Sequence, residues 1–140
     1  MDKKIIGRHE LISILDLELF DLDAKIDTGA DTSALHCNHL EIDKKNNTVS
    51  FSLLDKVHEA YHGKRLTLPL HKIKKVKSSN GQIQYRPSVK VNILFMGEKY
   101  KTIISLTDRT DMIFPMLIGR SFLKDRFIVD VSQDYVTREV

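Results

Sequence analysis

A chain of 140 residues fits one domain and can bury a core without disulfides or metals to hold it together. A hydrophobic share of 41% and a charged share of 29% are ordinary for a soluble globular protein, and a single cysteine, Cys37, excludes an intrachain disulfide framework. The net charge of +3 hides an asymmetry: residues 60–97 carry eight Lys/Arg (Lys64, Arg65, Lys72, Lys74, Lys75, Lys77, Arg86, Lys90) and no acid, whereas residues 1–59 carry seven Lys/Arg against twelve Asp/Glu. This basic stretch is either a solvated hairpin or a surface that attracts an acidic partner.

The first eight residues include basic side chains but no apolar run of signal-peptide length. No stretch approaches the roughly 20 apolar residues of a membrane span. A cytoplasmic protein without membrane association is therefore expected, as a single domain over residues 1–140.

In chain order, residues 11–15 alternate weakly, and Ala24-Lys25-Ile26 forms an apolar approach to Asp27-Thr28-Gly29. Asn46-Asn47 marks a loop. Val49, Phe51 and Leu53 fall on one face of a period-two pattern, and Leu66, Leu68 and Leu70 repeat it, with Pro69 indicating an edge or a strand end. Ser78-Ser79-Asn80-Gly81 carries the Asn-Gly hairpin signal. Val89 to Phe95 and Tyr100 to Leu106 alternate on either side of a tight turn at residues 96–99. Met116-Leu117-Ile118-Gly119 is a short, wholly apolar strand, with one helical turn expected over residues 120–124. Phe127, Val129 and Val131 alternate again, and Gln133-Asp134 is read as a hairpin turn into a last strand at residues 135–137. Short strands with regular turns and no long amphipathic helix predict an all-β barrel or sandwich.

The chemistry concentrates at Asp27-Thr28-Gly29-Ala30. A carboxylate at a tight turn, placed opposite a second one, can share a single proton with it, because two close carboxylates do not both ionise readily. One then takes a proton from water while the other donates to a scissile carbonyl. Gly29 permits a close backbone approach and the Thr28 hydroxyl can lock the loop. On its own the tripeptide also fits a strand followed by an Asx-type turn. Two zinc-like or thiol readings are weaker. His36, Cys37 and His39 fall short of the four ligands of a structural zinc site, and Cys37 has no recognisable nucleophile context. Neither His9-Glu10 nor His58-Glu59 is completed to His-Glu-x-x-His, and no Walker A loop occurs. No metal and no cofactor is expected.

Three features together make a sharper pattern: Asp27-Thr28-Gly29, the polar hairpin tip at Ser78 to Gly81, and Met116-Leu117-Ile118-Gly119-Arg120-Ser121-Phe122-Leu123. They resemble the active-site loop, flap and second half-motif of a retropepsin, over about residues 24 to 131. With Ile6-Gly7-Arg8, residues 24–30, Thr32-Ser33-Ala34-Leu35-His36, Val76 to Gly81, Arg86-Pro87, Leu106-Thr107-Asp108-Arg109 and Pro115 to Arg120, the chain is similar to the bacterial RimB-type, retropepsin-like aspartic peptidases. These are also labelled "ATP-dependent zinc protease", although the residues support neither zinc nor ATP chemistry. One departure is Asp31, where that bacterial family usually has a basic residue and viral retropepsins have an acidic one.

The resemblance implies a closed, retropepsin-like β-barrel with one short C-terminal helix. It implies catalysis by Asp27, Thr28 and Gly29, and substrate contacts from Ala30, Asp31, the flap residues Ser78, Ser79, Asn80 and Gly81, and the basic Lys74 and Lys75. It also implies a structural pair between Asp31 and Arg120. Because the chain holds one Asp-Thr-Gly, the second carboxylate is expected from an identical subunit in a C2 homodimer, with Asp108 or Asp111 as the lesser, intrachain alternative. The family is associated with ATP-grasp glutamate ligases that add glutamate tails to a ribosomal protein. The expected function is thus an aspartic endopeptidase acting on acidic or glutamate-tailed proteins, with such a ligase as a candidate partner. The alternative is a catalytically weak module that binds an acidic or ribosomal partner. Nucleic-acid binding is not expected, since no RNA-binding motif accompanies the basic residues.

Overall fold

A computed structural model describes residues 2–54, 58–77, 80–108 and 113–139. Twelve strands follow one another: β1 (Lys4–Ile6), β2 (His9–Ile14), β3 (Leu19–Ile26), β4 (Ser33–His36), β5 (Asn38–Asp43), β6 (Thr48–Ser52), β7 (Arg65–Pro69), β8 (Lys72–Lys77), β9 (Ile83–Phe95), β10 (Glu98–Thr107), β11 (Met116–Ile118) and β12 (Phe127–Val129). The helix α1 (Arg120–Leu123) lies between the last two, and 3-10 turns cover Leu15–Leu17 and Val136–Glu139. No described helix is long and apolar enough to cross a membrane.

Hydrogen bonding runs in the order β10-β4-β11-β3-β2-β9, and β9 pairs again with β10. Among the described residues, six strands thereby close into the all-β barrel that the sequence implied. Closure removes free strand edges. The alternating side chains fill it: Val89, Val91, Ile93 and Phe95 of β9, and Ile104 and Leu106 of β10, are almost wholly buried. Strands β9 and β10 meet in a two-residue turn at Met96 (φ 53°) and Gly97 (φ 77°). Two successive left-handed residues match the twist of a tight hairpin.

Two smaller sheets flank the barrel. Strands β5, β6 and β7 form one, with Val49 and Phe51 fully buried and Pro69 on the edge strand β7. Strands β1 and β12 pair in parallel, which places Ile5 beside Ile128 on an outer face where each is 52% exposed. Among the described residues, strand β8 extends the barrel sheet by pairing with β9 alone, so the β8–β9 hairpin projects beyond the barrel wall.

An aromatic cluster seats α1. Phe122 meets Phe95 at 6.2 Å and Tyr100 at 5.3 Å between ring centroids, and Phe127 packs on Phe95 at 5.3 Å. Arg126 covers the rings of Tyr100 and Phe122. With Phe122 anchored, the first residue of the helix, Arg120, is held at the barrel surface.

The C-terminal segment differs from the sequence expectation. Residues 135–137 are not a hairpin strand; a 3-10 turn covers Val136–Glu139. The fully buried Glu10 carboxylate accepts from the N–H of Gly7 (2.7 Å), Val136 (3.1 Å) and Thr137 (3.2 Å), and from the Thr137 hydroxyl (2.9 Å). A buried carboxylate must find donors, and these amides serve Glu10 instead of a strand neighbour. Likewise β12 stops at Val129, and Val131 is 73% exposed.

Candidate active site

Strand β3 delivers Asp27 to the end of the barrel. The apolar β11 runs parallel to β3 and antiparallel to β4, lying between them. The β3–β11 ladder continues one step past the strand, because Asp27 N–H donates to the Ile118 carbonyl at 2.8 Å. On the other flank, Ile26 N–H donates to the Arg8 carbonyl at 2.8 Å. Arg8 in turn grips Asp134 through two parallel bonds of 3.0 Å, and His9 Nδ1 lies 2.8 Å from the same carboxylate.

The loop itself turns at Asp27. Gly29 N–H donates to Asp27 Oδ1 at 3.0 Å and Ala30 N–H to the Asp27 carbonyl at 3.2 Å. Asp27 Oδ2 has no hydrogen-bond partner among the described residues. The carboxylate is half-buried, while Thr28, Gly29 and Asp31 are exposed. The Thr28 hydroxyl makes no hydrogen bond among the described residues. Instead the Thr28 carbonyl accepts from Arg120 Nη1 at 3.0 Å.

The segment after β11 straps the loop down. Arg120 N–H donates to the Ala30 carbonyl (2.8 Å), Ser121 N–H to the Asp31 carbonyl (2.9 Å) and Gly119 N–H to Ser33 Oγ (3.1 Å). Gly119 passes so close that a Cβ there would lie 2.6 Å from the Thr32 carbonyl carbon and oxygen. Only glycine permits that crossing. Arg120 Nη2 stands 3.9 Å from Asp31 Oδ1, a long contact between exposed side chains. The structure therefore brings Asp27, Thr28, Gly29, Ala30, Asp31 and Arg120 into one unit, and Arg120 holds the loop more through the Thr28 carbonyl than through the Asp31 charge.

A cleft of about 300 Å³ opens over Asp27. Its walls include Ala30, Asp31, Thr32 and Ser105, together with Lys74 and Arg86 from the β8–β9 hairpin. Lys74 and Arg86 are register partners, and residues directly opposite in an antiparallel pair share a face. Lys75 pairs with Tyr85 on the other face, so of the two lysines singled out from the sequence, only Lys74 lines the cleft. Asn80 and Gly81 sit exposed at the hairpin tip, where Asn80 Oδ1 accepts from Gln82 N–H at 3.2 Å. Ser78, Ser79 and Asp111 lie outside the described residues. Asp108 is exposed beyond the end of β10 and does not line the cleft.

Two further residues of the site, Arg86 and Thr107, were given no role from the sequence. Arg86 stood in the resembling Arg86-Pro87 segment and was one of eight cations in the basic stretch. Thr107 lines the cleft and is 4% exposed, and its buried Oγ1 has no hydrogen-bond partner among the described residues. Nothing in the sequence marks such an orphaned hydroxyl, because its exceptional feature is a missing neighbour.

His36, Cys37 and His39 form no metal-holding group among the described residues. His36 is buried and stacks on Tyr61, whose hydroxyl donates to the His36 carbonyl, while His39 is exposed. Among the described residues, no three His, Cys, Asp or Glu side chains form a group that could hold a metal ion. Burial, and secondarily Asp108, push the Cys37 thiol up to about 12, so it stays neutral at ordinary pH.

A closed barrel with an Asp-Thr-Gly loop strapped by a second apolar strand, Gly and Arg defines a retropepsin-like domain. The chain belongs to the RimB-like family, whose model, described as retropepsin-like aspartic endopeptidase RimB, matches residues 5–139. It is also similar to curated proteins named probable alpha-L-glutamate ligase. The Shewanella halifaxensis protein is 29% identical over 96% of this chain, and that of Desulfotalea psychrophila 28% identical over 99%. The chain spans about 30% of the length of each. Among solved structures, a Legionella pneumophila protein described as of unknown function matches with a TM-score of 0.76 at 27% identity, over 97% of this chain and 99% of the other.

Proposed function

We propose that the chain is an aspartic endopeptidase that acts as a homodimer on acidic or glutamate-tailed proteins. The observation that carries this reading is the half-built centre: a strapped, half-buried Asp27 with an unengaged Oδ2, on a loop whose next residues face solvent. A second copy related by a two-fold axis would bring another Asp27 to the first. The exposed Thr28 hydroxyl and the outward Ile5 and Ile128 of the terminal sheet are surfaces such a copy would cover.

In the dyad, the two Asp27 carboxyl groups would hold one proton between them, because two such close carboxylates do not both ionise readily. The ionised carboxylate takes a proton from the water held between them. The resulting hydroxide adds to the scissile carbonyl, whose oxygen receives the proton of the other carboxyl. The tetrahedral diol then breaks its C–N bond, the proton taken from water passes to the leaving amine, and one diol hydroxyl returns a proton to the carboxylate that gave one up. Products are an acid and an amine, with no cofactor consumed.

Lys74 and Arg86 over the cleft support an acidic substrate. The ligase names of the longer relatives favour a working partnership with a glutamate ligase, whose tails this enzyme would trim. The same names support a second reading, in which the domain binds the tailed protein and cuts it poorly. The test is incubation of the protein and its Asp27→Asn variant with a glutamate-tailed peptide and an untailed control, read by mass spectrometry from acidic to neutral pH. Cleavage of the tailed peptide by the unaltered protein alone is expected. Binding without cleavage at any pH, by a protein shown to be dimeric, would favour the second reading.

A further inference from the structure

We infer that Glu10 is a positioning residue for Asp27, acting by clasping the C-terminal segment onto the corner that holds the end of the Asp27 strand. Its effect on cleavage rests on the peptidase reading; the clasp itself does not.

Glu10 is a fully buried carboxylate that the reaction does not use. Its Oε2 accepts from the N–H of Gly7 and Val136, and its Oε1 from the N–H and hydroxyl of Thr137. Val136 and Thr137 open the last 3-10 turn, so their amides find no acceptor within it. A carboxylate accepts at both ends and donates at neither, which suits four converging donors. One side chain thereby ties together two stretches of chain 126 residues apart.

The tie bears on Arg8. Gly7 and Arg8 form the corner between β1 and β2, and Glu10 closes that corner through the Gly7 amide. The clasped segment closes it again, because Arg8 N–H donates to the Gln133 carbonyl at 2.9 Å and Tyr135 N–H to the His9 carbonyl at 2.8 Å. The approach is tight: a Cβ on Gly7 would lie 2.5 Å from the Gln133 carbonyl oxygen. The carbonyl of the same Arg8 takes the Ile26 N–H at 2.8 Å. Ile26 ends β3, and Asp27 is the next residue.

Asp27 therefore hangs between two extensions of the sheet. On one side its own N–H meets the Ile118 carbonyl, which the strap holds. On the other, Ile26 meets Arg8, which the clasp holds. The Tyr135 hydroxyl adds a direct tie to β3, donating to Asp23 Oδ1 at 2.6 Å. A carboxylate that must meet its mate across one water tolerates little drift, since a misplacement of about 1 Å can cost on the order of a hundredfold in rate. The strap fixes the loop after Asp27, and the clasp fixes the strand before it.

Backbone amide exchange followed by NMR on the full chain, together with kcat and KM on a glutamate-tailed peptide, tests this. In Glu10→Ala the Ile26 amide should exchange faster, while the Asp27 amide, bonded to Ile118, keeps its protection. The kcat should fall about tenfold or more, with KM within about twofold. Glu10→Gln should keep part of both, because its carbonyl oxygen still accepts from Gly7 and Val136 and its amide can donate to the Thr137 hydroxyl. Adding Thr137→Val to Glu10→Gln should remove what glutamine kept, and this pair carries the test if Glu10→Ala does not fold. Val91→Ala, a cavity in the barrel wall away from the clasp, should lower Tm yet leave kcat and the Ile26 amide as they are.

Unchanged exchange at Ile26 in the Glu10 variants would overturn the clasp. So would Val91→Ala reproducing the same selective loss, because the effect would then be general destabilisation. Faster exchange at Ile26 alone, in a protein that cuts no peptide, would sink the peptidase reading and leave the clasp standing.

Discussion

The strap around Asp27 and the hairpin above it are built on opposite principles. In the strap, β3, β11 and the start of α1 cross through backbone hydrogen bonds of 2.8–2.9 Å at Asp27, Arg120 and Ser121, with Gly119 admitted only for want of a Cβ. Its neighbours Ala24, Met116 and Ile118 are buried. In the hairpin, β8 pairs among the described residues with β9 alone, Ile83 and Tyr85 are 50% and 57% exposed, and the inner face presents cations. The strap fixes where the carboxylate stands, and packing pins each of its atoms. The hairpin contributes charge and cover, so its side chains can vary at little cost to the fold. Stability should therefore be lost through the strap and selectivity through the hairpin.

The most damaging test of that division is Gly119→Ala. The added methyl would meet Thr32 backbone at 2.6 Å. Overpacking of this kind costs about 2–3 kcal/mol, a fall in Tm of roughly 6–10 °C by differential scanning calorimetry. Activity should fall on every peptide alike. A variant with unchanged Tm would mean that the loop is not pinned as described.

Arg120→Ala comes next. It removes the donor to the Thr28 carbonyl at 3.0 Å, and a half-exposed charged hydrogen bond of this type is worth about 1 kcal/mol. Smaller still is the Asp31–Arg120 coupling. At 3.9 Å, with side chains 53% and 74% exposed, a double-mutant cycle in urea should return under about 0.5 kcal/mol. A larger coupling would move the lock from the Thr28 carbonyl to the ion pair.

On the hairpin, Lys74→Ala should reduce the preference for acidic peptides more than Lys75→Ala, with both variants melting within a degree or two of the unaltered protein. Equal effects would show that the strip acts by overall field and that register is immaterial.

The smallest expected effect is an acid limb in the strap's outer anchor. Asp134 is held below the usual carboxylate value, chiefly by its hydrogen bond to Arg8 and also by His9. A lowered folded value means that its contribution is present above the unfolded value of about 3.9 and is lost as pH falls through the folded one. Because the pair is exposed, Asp134→Asn should shift the acid unfolding midpoint only slightly, as followed by circular dichroism.

These contrasts also explain what could be read in advance. The strap was legible because its signals are local: an apolar approach into Asp27, and an apolar run ending at Gly119-Arg120 whose glycine has one steric purpose. The barrel strands with strict alternation, such as Val89 to Phe95, were legible for the same reason. Strands β1 and β4 were not, because at three and four residues they are shorter than a readable period. The last strand expected at residues 135–137 failed on a long-range cause, the capture of its amides by Glu10 across 126 residues of chain. Arg86 was given no role because facing Lys74 depends on the β8–β9 register, and a one-residue slip would have turned it away. Thr107 escaped because no pattern announces a missing partner.

The claim on which the rest depends is that two copies of Asp27 make one catalytic centre. It is tested most directly by mixing the unaltered protein with Asp27→Asn at fixed total concentration, allowing subunits to exchange, and measuring cleavage of a glutamate-tailed peptide. A shared dyad predicts activity proportional to the square of the unaltered fraction, about one quarter of the full value in an equal mixture. Activity proportional to that fraction, one half in the same mixture, would place the second carboxylate within the chain and contradict the account.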